Sequence, residues 1–159
     1  FPVEKWNAII AINMNSNFHT TRLALPGMKR KNWGRIINIA SADGLVGSAQ
    51  KSAYVTAKHG VVGFTKVTGL ETAKTGITVN AICPGWVRTE LVEKQIAARA
   101  TADNISVEAA ATSLLVEKQP SLQFVTPAAL ADTALFLCGS SADQITGTTI
   151  SMDGGWTAQ

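Results

Sequence analysis

The order of its hydrophobic patterns constrains this chain more than any other feature. Apolar residues follow helical spacing in three segments, residues 4–28, 52–74 and 126–138. Short β-branched runs, bounded by glycine, serine or proline, lie at residues 34–41, 77–82 and 146–152. This alternation predicts an α/β fold with a parallel sheet and helices on both faces. Such a sheet binds ligands outside the carboxyl ends of its strands, where Ser41 and the Pro84-Gly85 turn are located.

Local signals set the limits of these segments. Pro26 and Gly27 weaken continuation of the first helix, so the basic run 29–31 is predicted to be a solvated loop before the first strand. Thr126 fits an N-cap, and Pro127 fits the first turn of the helix that follows. Residues 87–118 are polar and alanine-rich with weaker periodicity, which predicts a surface lobe of one or two helices that contacts substrate.

The absence of a glycine-rich turn before the first helix indicates that half of the fold is missing. Doubly wound, Rossmann-type sheets that bind dinucleotides begin with a strand followed by such a turn. A βαβαβ half would occupy on the order of 90 residues. We therefore expect residues 1–159 to be a fragment of one Rossmann-type domain that lacks its N-terminal dinucleotide-binding half; that it is the C-terminal catalytic part is what the family resemblance described below implies.

Composition excludes several other classes of function. The 159 residues are 46% hydrophobic, enough for the core of one domain, and carry a formal charge of only +3. The single basic run, 29–31, is too short and too free of aromatic residues to predict nucleic-acid binding. No apolar run is long enough to cross a bilayer, and residues 1–20 lack the pattern of a signal peptide, so no membrane partner and a cytoplasmic location are expected.

Cys83 and Cys138 both stand in apolar stretches, without CxxC spacing or a nearby histidine cluster. They are predicted to be buried thiols in a reducing compartment, and neither a disulfide nor a metal site is expected.

A tyrosine and a lysine on one helical segment supply the first candidate chemistry. Tyr54 and Lys58 are four residues apart, which in a helix places their Cβ atoms about 5–6 Å apart on one face. Lowering the pKa of a phenol from about 10 to near 7 requires about 4 kcal/mol of phenolate stabilisation. The ammonium of Lys58 is a suitable source, although a tyrosine and lysine at this spacing also arise by chance in many helices.

Two further polar residues strengthen this interpretation. Ser41 stands at a predicted strand end, thirteen residues before Tyr54, where its hydroxyl can orient a substrate oxygen. Asn13 interrupts an apolar helical segment. Because asparagine is a weak helix former, its side chain is expected to form hydrogen bonds there. The alternatives are a turn serine and an exposed helix asparagine.

With the residues that follow them, these four resemble the short-chain dehydrogenase/reductase family. The later motifs are Asn80-Ala81-Ile82-Cys83-Pro84-Gly85-Trp86-Val87-x-Thr89 and Asp153-Gly154-Gly155. The resemblance implies that Tyr54 donates or accepts the proton and that Ser41 binds the substrate oxygen. It implies that Lys58 tunes Tyr54 and binds the nicotinamide ribose, and that Asn13 holds a water of the proton relay.

The resemblance also implies a nicotinamide cofactor. Its nicotinamide and phosphate would contact Tyr54, Lys58, Pro84, Gly85, Trp86, Val87 and Thr89. A proline–glycine turn lets the main chain approach a ligand closely, although such a turn is also common without any ligand. NAD is expected from the resemblance alone, because the residue that distinguishes NAD from NADP follows a strand that is absent here.

Within the family, the resemblance is to members that act on a small β-hydroxy acid, and it extends from Phe1-Pro2-x-Glu4-Lys5-Trp6 to Gly154-Gly155-Trp156-x-Ala158-Gln159. It implies reversible, NAD-dependent oxidation of (R)-3-hydroxybutyrate to acetoacetate by a homotetramer of the full-length protein. The substrate would contact Ser41, Asp43, Lys51, Tyr54, Trp86, Gln95 and Trp156. A cation and an amide suit its carboxylate, and apolar walls suit its short carbon chain.

Asp43 departs from the pattern of these members, which are expected to have histidine two residues after the catalytic serine. A carboxylate 4 Å from the substrate's carboxylate would repel it by about 4 kcal/mol at an effective dielectric of 20. Asp43 therefore turns away, is partly protonated, or indicates another substrate. The alternatives are a different hydroxy acid, a neutral secondary alcohol or a 3-oxoacyl group. A further alternative is that the 159 residues alone are catalytically silent.

Overall fold

Three parallel strands form the centre of the fold. A computed structural model describes residues 1–158, so Gln159, the last residue of the sequence motif, lies outside the described residues. The strands are β1 (Gly34–Ile39), β2 (Ile77–Pro84) and β3 (Thr149–Met152), hydrogen-bonded in the order β1-β2-β3. Gly34 pairs with Ile77, and Ala81 pairs with Thr149. The parallel α/β architecture predicted from the sequence is confirmed.

Helices connect the strands in the predicted order. They are α1 (Val3–Ile10), α2 (Ser16–Lys31), α3 (Ser52–Thr72), α4 (Glu90–Asp103), α5 (Val107–Lys118) and α6 (Pro127–Cys138). A π-helical segment, Ala11–Asn15, joins α1 to α2, and short 3-10 turns lie at Ala42–Gly44 and Ser140–Ala142. Two helices, α4 and α5, occupy the segment 87–118. The Thr126 side chain caps α6 by accepting a hydrogen bond from the Ala129 N–H at 3.1 Å.

Alternate residues of β2 face two separate helical layers, because successive side chains of a strand point to opposite sides. Ala81 and Cys83 pack with Val61 of α3. Ile82, between them, packs with Leu137 of α6 on the other face. Every residue of β2 is buried. The predicted covering of both faces by helices is therefore confirmed, and the sheet holds the carboxyl end of β2 rigidly between α3 and α6.

The first helix ends later than the sequence predicts. Pro26 lies inside α2, which continues to Lys31, so the basic run 29–31 forms its last turn and the prediction of a loop is wrong. Pro26 and Arg22, whose carbonyl loses its helical partner, are both exposed, so water can satisfy that carbonyl. The helix ends at Asn32, which has a left-handed φ of 48° and donates to the Lys29 carbonyl at 3.1 Å. The basic residues thus lie at the negative end of the helix dipole.

Two smaller predictions also need correction. Cys83 is buried as predicted, but Cys138 is exposed at the end of α6. The third strand begins at Thr149 rather than at residue 146, because Gly147 has a left-handed φ of 70° that interrupts extended backbone. The Thr146 side chain instead accepts a hydrogen bond from the Val79 N–H at 3.1 Å. Within residues 1–158, no helix combines the length and apolar character needed to cross a membrane.

Asn80 joins β2 to the segment that precedes β3, and its replacement should destabilise the fold. Its side chain is 1% exposed, donates to the Ile145 carbonyl at 2.6 Å and accepts from the Thr148 N–H at 3.3 Å. Asn80→Ala leaves both backbone groups without a partner, so we expect the free energy of unfolding to fall by about 2–4 kcal/mol. Urea denaturation measures this change. Asn7→Ala, on the exposed side of α1, is the control and should change it by less than about 0.5 kcal/mol; equal effects would contradict the role of Asn80.

Candidate active site

A cavity of about 520 Å³ opens at the carboxyl end of the sheet. Its walls come from the segments that follow β1 and β2, from the first turns of α3 and α4, and from the residues after β3. All of the site residues predicted from the sequence except Asn13 line this cavity: Ser41, Asp43, Lys51, Tyr54, Lys58, Pro84, Gly85, Trp86, Val87, Thr89, Gln95 and Trp156. The cavity therefore brings together residues that are far apart in the sequence.

Ser41 and Tyr54 form the polar centre of the cavity. Ser41 follows β1 in extended backbone, and its hydroxyl accepts a hydrogen bond from the Asp43 N–H at 3.1 Å. Tyr54, in the first turn of α3, lines the cavity together with Ser41. Burial raises the pKa of Tyr54 above that of an ordinary phenol; the hydrogen bond with Ser41 lowers it and the charge of Asp43 raises it further. Without another cation, Tyr54 is therefore held in its protonated form.

Lys58 is fixed beside Tyr54 with little exposure. The residue is 8% exposed, and its ammonium donates to the Ile39 carbonyl at 2.9 Å. The ammonium nitrogen lies 5.5 Å from the centre of the Tyr54 ring. Burial lowers the pKa of Lys58, and the nearby Cys83 raises it. The arrangement gives a positive charge aimed at the phenol from a buried position, where its field is weakly screened.

Asp43 lines the cavity but its carboxylate is engaged by the chain. It is 2% exposed, accepts a hydrogen bond from the Ser48 hydroxyl at 2.6 Å, and pairs with the Lys51 ammonium at 3.3 Å. A buried charge is tolerated when it is paired and hydrogen-bonded in this way. Asp43 thus reduces the positive charge that Lys51 presents to the cavity.

Two tryptophans form the apolar wall. The ring centres of Trp86 and Trp156 are 6.4 Å apart, and the Lys51 ammonium lies 5.5 Å from the centre of the Trp86 ring. The indole Nε1 of Trp86 is buried and has no hydrogen-bond partner within residues 1–158. Gln95 is on the exposed side of α4 at the rim. An apolar wall with a cation at its edge suits a small ligand that carries an anionic group.

The turn after β2 is held by a residue that sequence reasoning missed. Gln119 is 1% exposed; its Oε1 accepts from the Trp86 N–H at 2.7 Å, and its Nε2 donates to the Gln123 carbonyl. Ser48 and Lys118, beside Asp43 and Trp156, were also missed. These contacts span 33 residues for Gln119 and 70 residues for Lys118, so no local pattern reveals them.

Gly85 allows Gln119 to approach the turn. A Cβ at Gly85 would overlap Gln119 Oε1 and lie 3.0 Å from the Asp153 Cα. Gly85→Ala is therefore expected to lower the free energy of unfolding by about 1–3 kcal/mol, because Gln119 must move away. Gly63→Ala is the matched control, since its added Cβ has no neighbour within 4 Å and alanine favours the helix by about 0.5–1 kcal/mol. Thermal denaturation measures both variants, and equal melting temperatures would contradict this account.

Main-chain groups of Val87 fit an amide-bearing ligand. Val87 forms a parallel bridge with Val125, in which Val125 donates to the Trp86 carbonyl at 2.9 Å and Arg88 donates to the Val125 carbonyl at 3.1 Å. Within residues 1–158, the N–H and C=O of Val87 itself take part in no hydrogen bond, and the residue lines the cavity. One donor and one acceptor at this position match the carboxamide of a nicotinamide ring. Thr89 follows as the N-cap of α4.

Asn13 is the one predicted site residue that does not line the cavity. It lies in the π-helical segment, partly buried, and its side-chain amide donates to the Ile9 carbonyl at 3.0 Å. That segment packs against α3, where a Cβ at Gly60 would overlap the Met14 side chain. π-Helical turns of this kind are frequent at functional sites. The predicted role of Asn13 in a proton relay stays a prediction.

Comparisons with known proteins agree on the class of fold and chemistry. A family model described as enoyl-(acyl carrier protein) reductase matches residues 1–157. D-beta-hydroxybutyrate dehydrogenase of Cupriavidus necator is 67% identical over the 159 residues, and the protein of that name from Rhizobium meliloti is 57% identical. Both alignments cover 100% of this chain and 62% of the relative. The chain thus spans less than two thirds of the length of these relatives.

Solved structures give the same result. An actinorhodin polyketide ketoreductase determined with NADPH has a TM-score of 0.91 at 35% identity, over 100% of this chain and 61% of that one. Levodione reductase has a TM-score of 0.89 at 30% identity, over 99% of this chain and 60% of that one. The three-stranded sheet and its helices therefore match the corresponding part of two solved Rossmann-type reductases, one of which was determined with NADPH.

Proposed function

The chain belongs to the short-chain dehydrogenase/reductase family, and on that premise we propose that the complete protein is an NAD-dependent dehydrogenase that interconverts (R)-3-hydroxybutyrate and acetoacetate. The observation that carries this proposal is the convergence of Ser41, Tyr54 and Lys58 on a cavity that is also lined by Lys51 and two tryptophans. The first group suits alcohol oxidation, and the second suits a short carboxylic acid. The two D-beta-hydroxybutyrate dehydrogenases among the relatives support the same substrate pair.

Tyr54 is proposed as the general base of alcohol oxidation. The substrate hydroxyl would lie between the hydroxyls of Ser41 and Tyr54, so that Ser41 orients it and Tyr54 accepts its proton as the carbonyl forms. The nicotinamide, when bound, supplies the acceptor for the hydride that leaves the same carbon. In ketone reduction Tyr54 returns the proton to the oxygen.

Lys58, together with the positively charged nicotinamide ring when the cofactor is bound, is proposed to favour the Tyr54 phenolate. Two unit charges 5.5 Å apart, the distance from the Lys58 ammonium to the ring centre, interact by about 3 kcal/mol at an effective dielectric of 20. This is close to the about 4 kcal/mol needed to bring an ordinary phenol to pH 7, and the burial of Tyr54 adds to the requirement. Alcohol oxidation should therefore accelerate as the pH rises, because a larger fraction of Tyr54 is then ionised.

The carboxylate of the substrate is proposed to bind at the tryptophan wall. Lys51 supplies the cation and Gln95 supplies an amide at the rim. Charge-assisted hydrogen bonds such as one from Lys51 are stronger than neutral ones. The neighbouring rings of Trp86 and Trp156 bound the short carbon chain.

The nicotinamide end of NAD is proposed to bind at the turn after β2. Val87 would hold the carboxamide, Pro84, Gly85 and Trp86 would form the backing of the ring, and Thr89 would contact the phosphate. Lys58 would bind the ribose. The adenosine and pyrophosphate would be held by chain outside these 159 residues. A similar ketoreductase solved with NADPH supports a nicotinamide cofactor, and the choice of NAD rests on the resemblance to hydroxybutyrate dehydrogenases.

A second candidate is a neutral substrate, either a secondary alcohol or a 3-oxoacyl group. The observation that favours it is Asp43, a buried carboxylate in the cavity wall that already engages Lys51. A neutral substrate would avoid repulsion by this charge. The relatives also include an acetoacetyl-CoA reductase of Shinella zoogloeoides, 38% identical over 152 residues.

NADH formation by the complete protein distinguishes the two candidates. The rate with (R)-3-hydroxybutyrate is compared with the rate with a neutral secondary alcohol of the same carbon number, at pH 7 to 10. Preference for the hydroxy acid supports the proposed function, and turnover of the neutral alcohol alone contradicts it. Fluorescence titration of residues 1–159 with NADH tests the remaining alternative, because undetectable binding would mean that the chain by itself is silent.

A cytoplasmic homotetramer is proposed for the complete protein. Phe18 on α2 and Val67 and Leu70 on α3 are large apolar side chains that remain exposed. Their burial between subunits would remove apolar surface that single-chain proteins seldom expose as a patch. Sedimentation velocity tests this proposal, and a monomer over the whole accessible concentration range would contradict it.

A further inference from the structure

Two lysines are linked to one buried carboxylate at the cavity wall, Lys51 directly and Lys118 through the Ser48 hydroxyl. Asp43 accepts a hydrogen bond from Lys51 at 3.3 Å through one carboxylate oxygen and from the Ser48 hydroxyl at 2.6 Å through the other. The same Ser48 hydroxyl accepts a hydrogen bond from the Lys118 ammonium at 3.2 Å. Lys118 is the last residue of α5, so this contact joins the helical lobe to the segment that follows β1.

The two lysines also lie over the two tryptophans of the wall. The Lys118 ammonium is 5.3 Å from the centre of the Trp156 ring, and the Lys51 ammonium is 5.5 Å from that of Trp86. Because the indole rings are neighbours, the contacts close into a ring that begins and ends at Asp43. Lys118 itself does not line the cavity; it stands behind Trp156 and Ser48.

The charges in this ring do not cancel. It contains two ammonium groups and one carboxylate, and within residues 1–158 Lys118 has no carboxylate within salt-bridge distance. Its neighbour Glu117 is paired with Arg99 instead. Lys118 polarises the Ser48 hydroxyl, which in turn donates to Asp43, so Lys118 acts on Asp43 through one hydrogen bond. The two ammonium groups and the carboxylate together carry a net charge of +1, which can attract an anion.

We propose that Lys118 is a positioning residue for the substrate carboxylate. It offsets the charge of Asp43 through Ser48, so that Lys51 can exchange part of its contact with Asp43 for the carboxylate of a hydroxy acid. The proposal rests on the proposed function of the cavity. It explains how a pocket with a buried aspartate in its wall can accept an anionic substrate, which the contact between Lys51 and Asp43 alone would disfavour.

The test uses the complete protein and the ratio of kcat/KM for (R)-3-hydroxybutyrate to kcat/KM for the neutral alcohol. Lys118→Met is expected to lower this ratio by about 10- to 30-fold, mainly through a higher KM for the hydroxy acid. Adding Asp43→Asn to Lys118→Met should restore the ratio to within about 3-fold of the wild type, because the charge that Lys118 offsets is then gone. Lys94→Met, which removes an exposed lysine paired with Glu90 on α4, is the control and should leave the ratio unchanged.

Two outcomes overturn the proposal. The first is an unchanged ratio in Lys118→Met, and the second is a loss that persists in the double variant, which would assign Lys118 a purely structural role. Competitive inhibition of neutral-alcohol turnover by acetate provides a second measurement, in which Lys118→Met should raise the inhibition constant by a similar factor. If the wild type prefers the neutral alcohol, the proposed function fails, while the acetate measurement still decides the role of Lys118.

Discussion

Tyr54→Phe in the complete protein is expected to reduce kcat by about 1,000-fold with either substrate, and to leave NADH binding within about 3-fold of the wild type. Phenylalanine keeps the ring, its packing and its position 5.5 Å from the Lys58 ammonium. It removes the Tyr54 hydroxyl, which is proposed to accept the substrate proton beside Ser41. The Tyr54→Phe variant should therefore lose catalysis while it still binds NADH. Steady-state turnover and fluorescence titration with NADH measure the two effects.

The control for this variant is Thr56→Ala, on the exposed side of α3, which should retain full activity. Tyr54 is the only tyrosine among the 159 residues. The ultraviolet difference between the wild type and Tyr54→Phe therefore follows ionisation of this phenol. Burial raises the pKa of Tyr54. In the cofactor-free protein the absorbance difference should therefore develop only at a pH above the pKa of an ordinary phenol. A variant that keeps a tenth or more of the wild-type kcat would show that another group moves the proton.

Lys58→Met should reduce kcat/KM for alcohol oxidation by about 100-fold at pH 8 and shift the rise of activity with pH to higher pH by about 2 units. The sign follows from charge: without the ammonium the phenolate is less stable, so the pKa of Tyr54 increases and the base form requires a higher pH. Methionine has a similar length and fills the buried space. The pH profile of kcat/KM measures the shift.

Stability should change in the opposite sense from activity in this variant. Burial lowers the pKa of Lys58, so the folded chain is destabilised by keeping this group charged, and a neutral side chain removes that cost. We expect the melting temperature of Lys58→Met to equal or exceed that of the wild type. Lys66→Met, on the exposed part of α3, is the matched control and should alter neither property. A loss of activity without any shift of the pH profile would mean that Lys58 does not tune Tyr54.

Features set by residues close in sequence were predictable. Tyr54 and Lys58 share a helix face because four residues make about one turn, and Ser41 ends a β-branched run that is too short for a helix. The Thr126 cap of α6 is likewise local. The end of the first helix was not predictable. Pro26 indicated an early end more strongly than Asn32 indicated the real one, although the left-handed conformation of Asn32 terminates α2.

Features that depend on distant partners could not be predicted. The sequence identifies Asp43 as a departure from the expected pattern, but its partners Ser48 and Lys51 become clear only when the turn after β1 is folded. Lys118 and Gln119 end α5 in a stretch with weak periodicity, and their contacts reach 70 and 33 residues back along the chain. Residues that hold site residues in place through such distant contacts belong to no recognisable sequence motif.

The hydrogen bond from the Trp86 N–H to Gln119 Oε1 brings together the two ends of the segment that contains α4 and α5. A loop whose ends are already joined can change length at low entropic cost, about 0.6 kcal/mol for each doubling. The part of this segment between Thr89 and Lys118 can therefore be exchanged or redesigned as a unit, while Ser41, Tyr54 and Lys58 keep their positions on the sheet and α3. Grafting other sequences between Thr89 and Lys118, which leaves Val87 and Thr89 in place for the cofactor, offers a direct way to alter which alcohols this catalytic centre accepts.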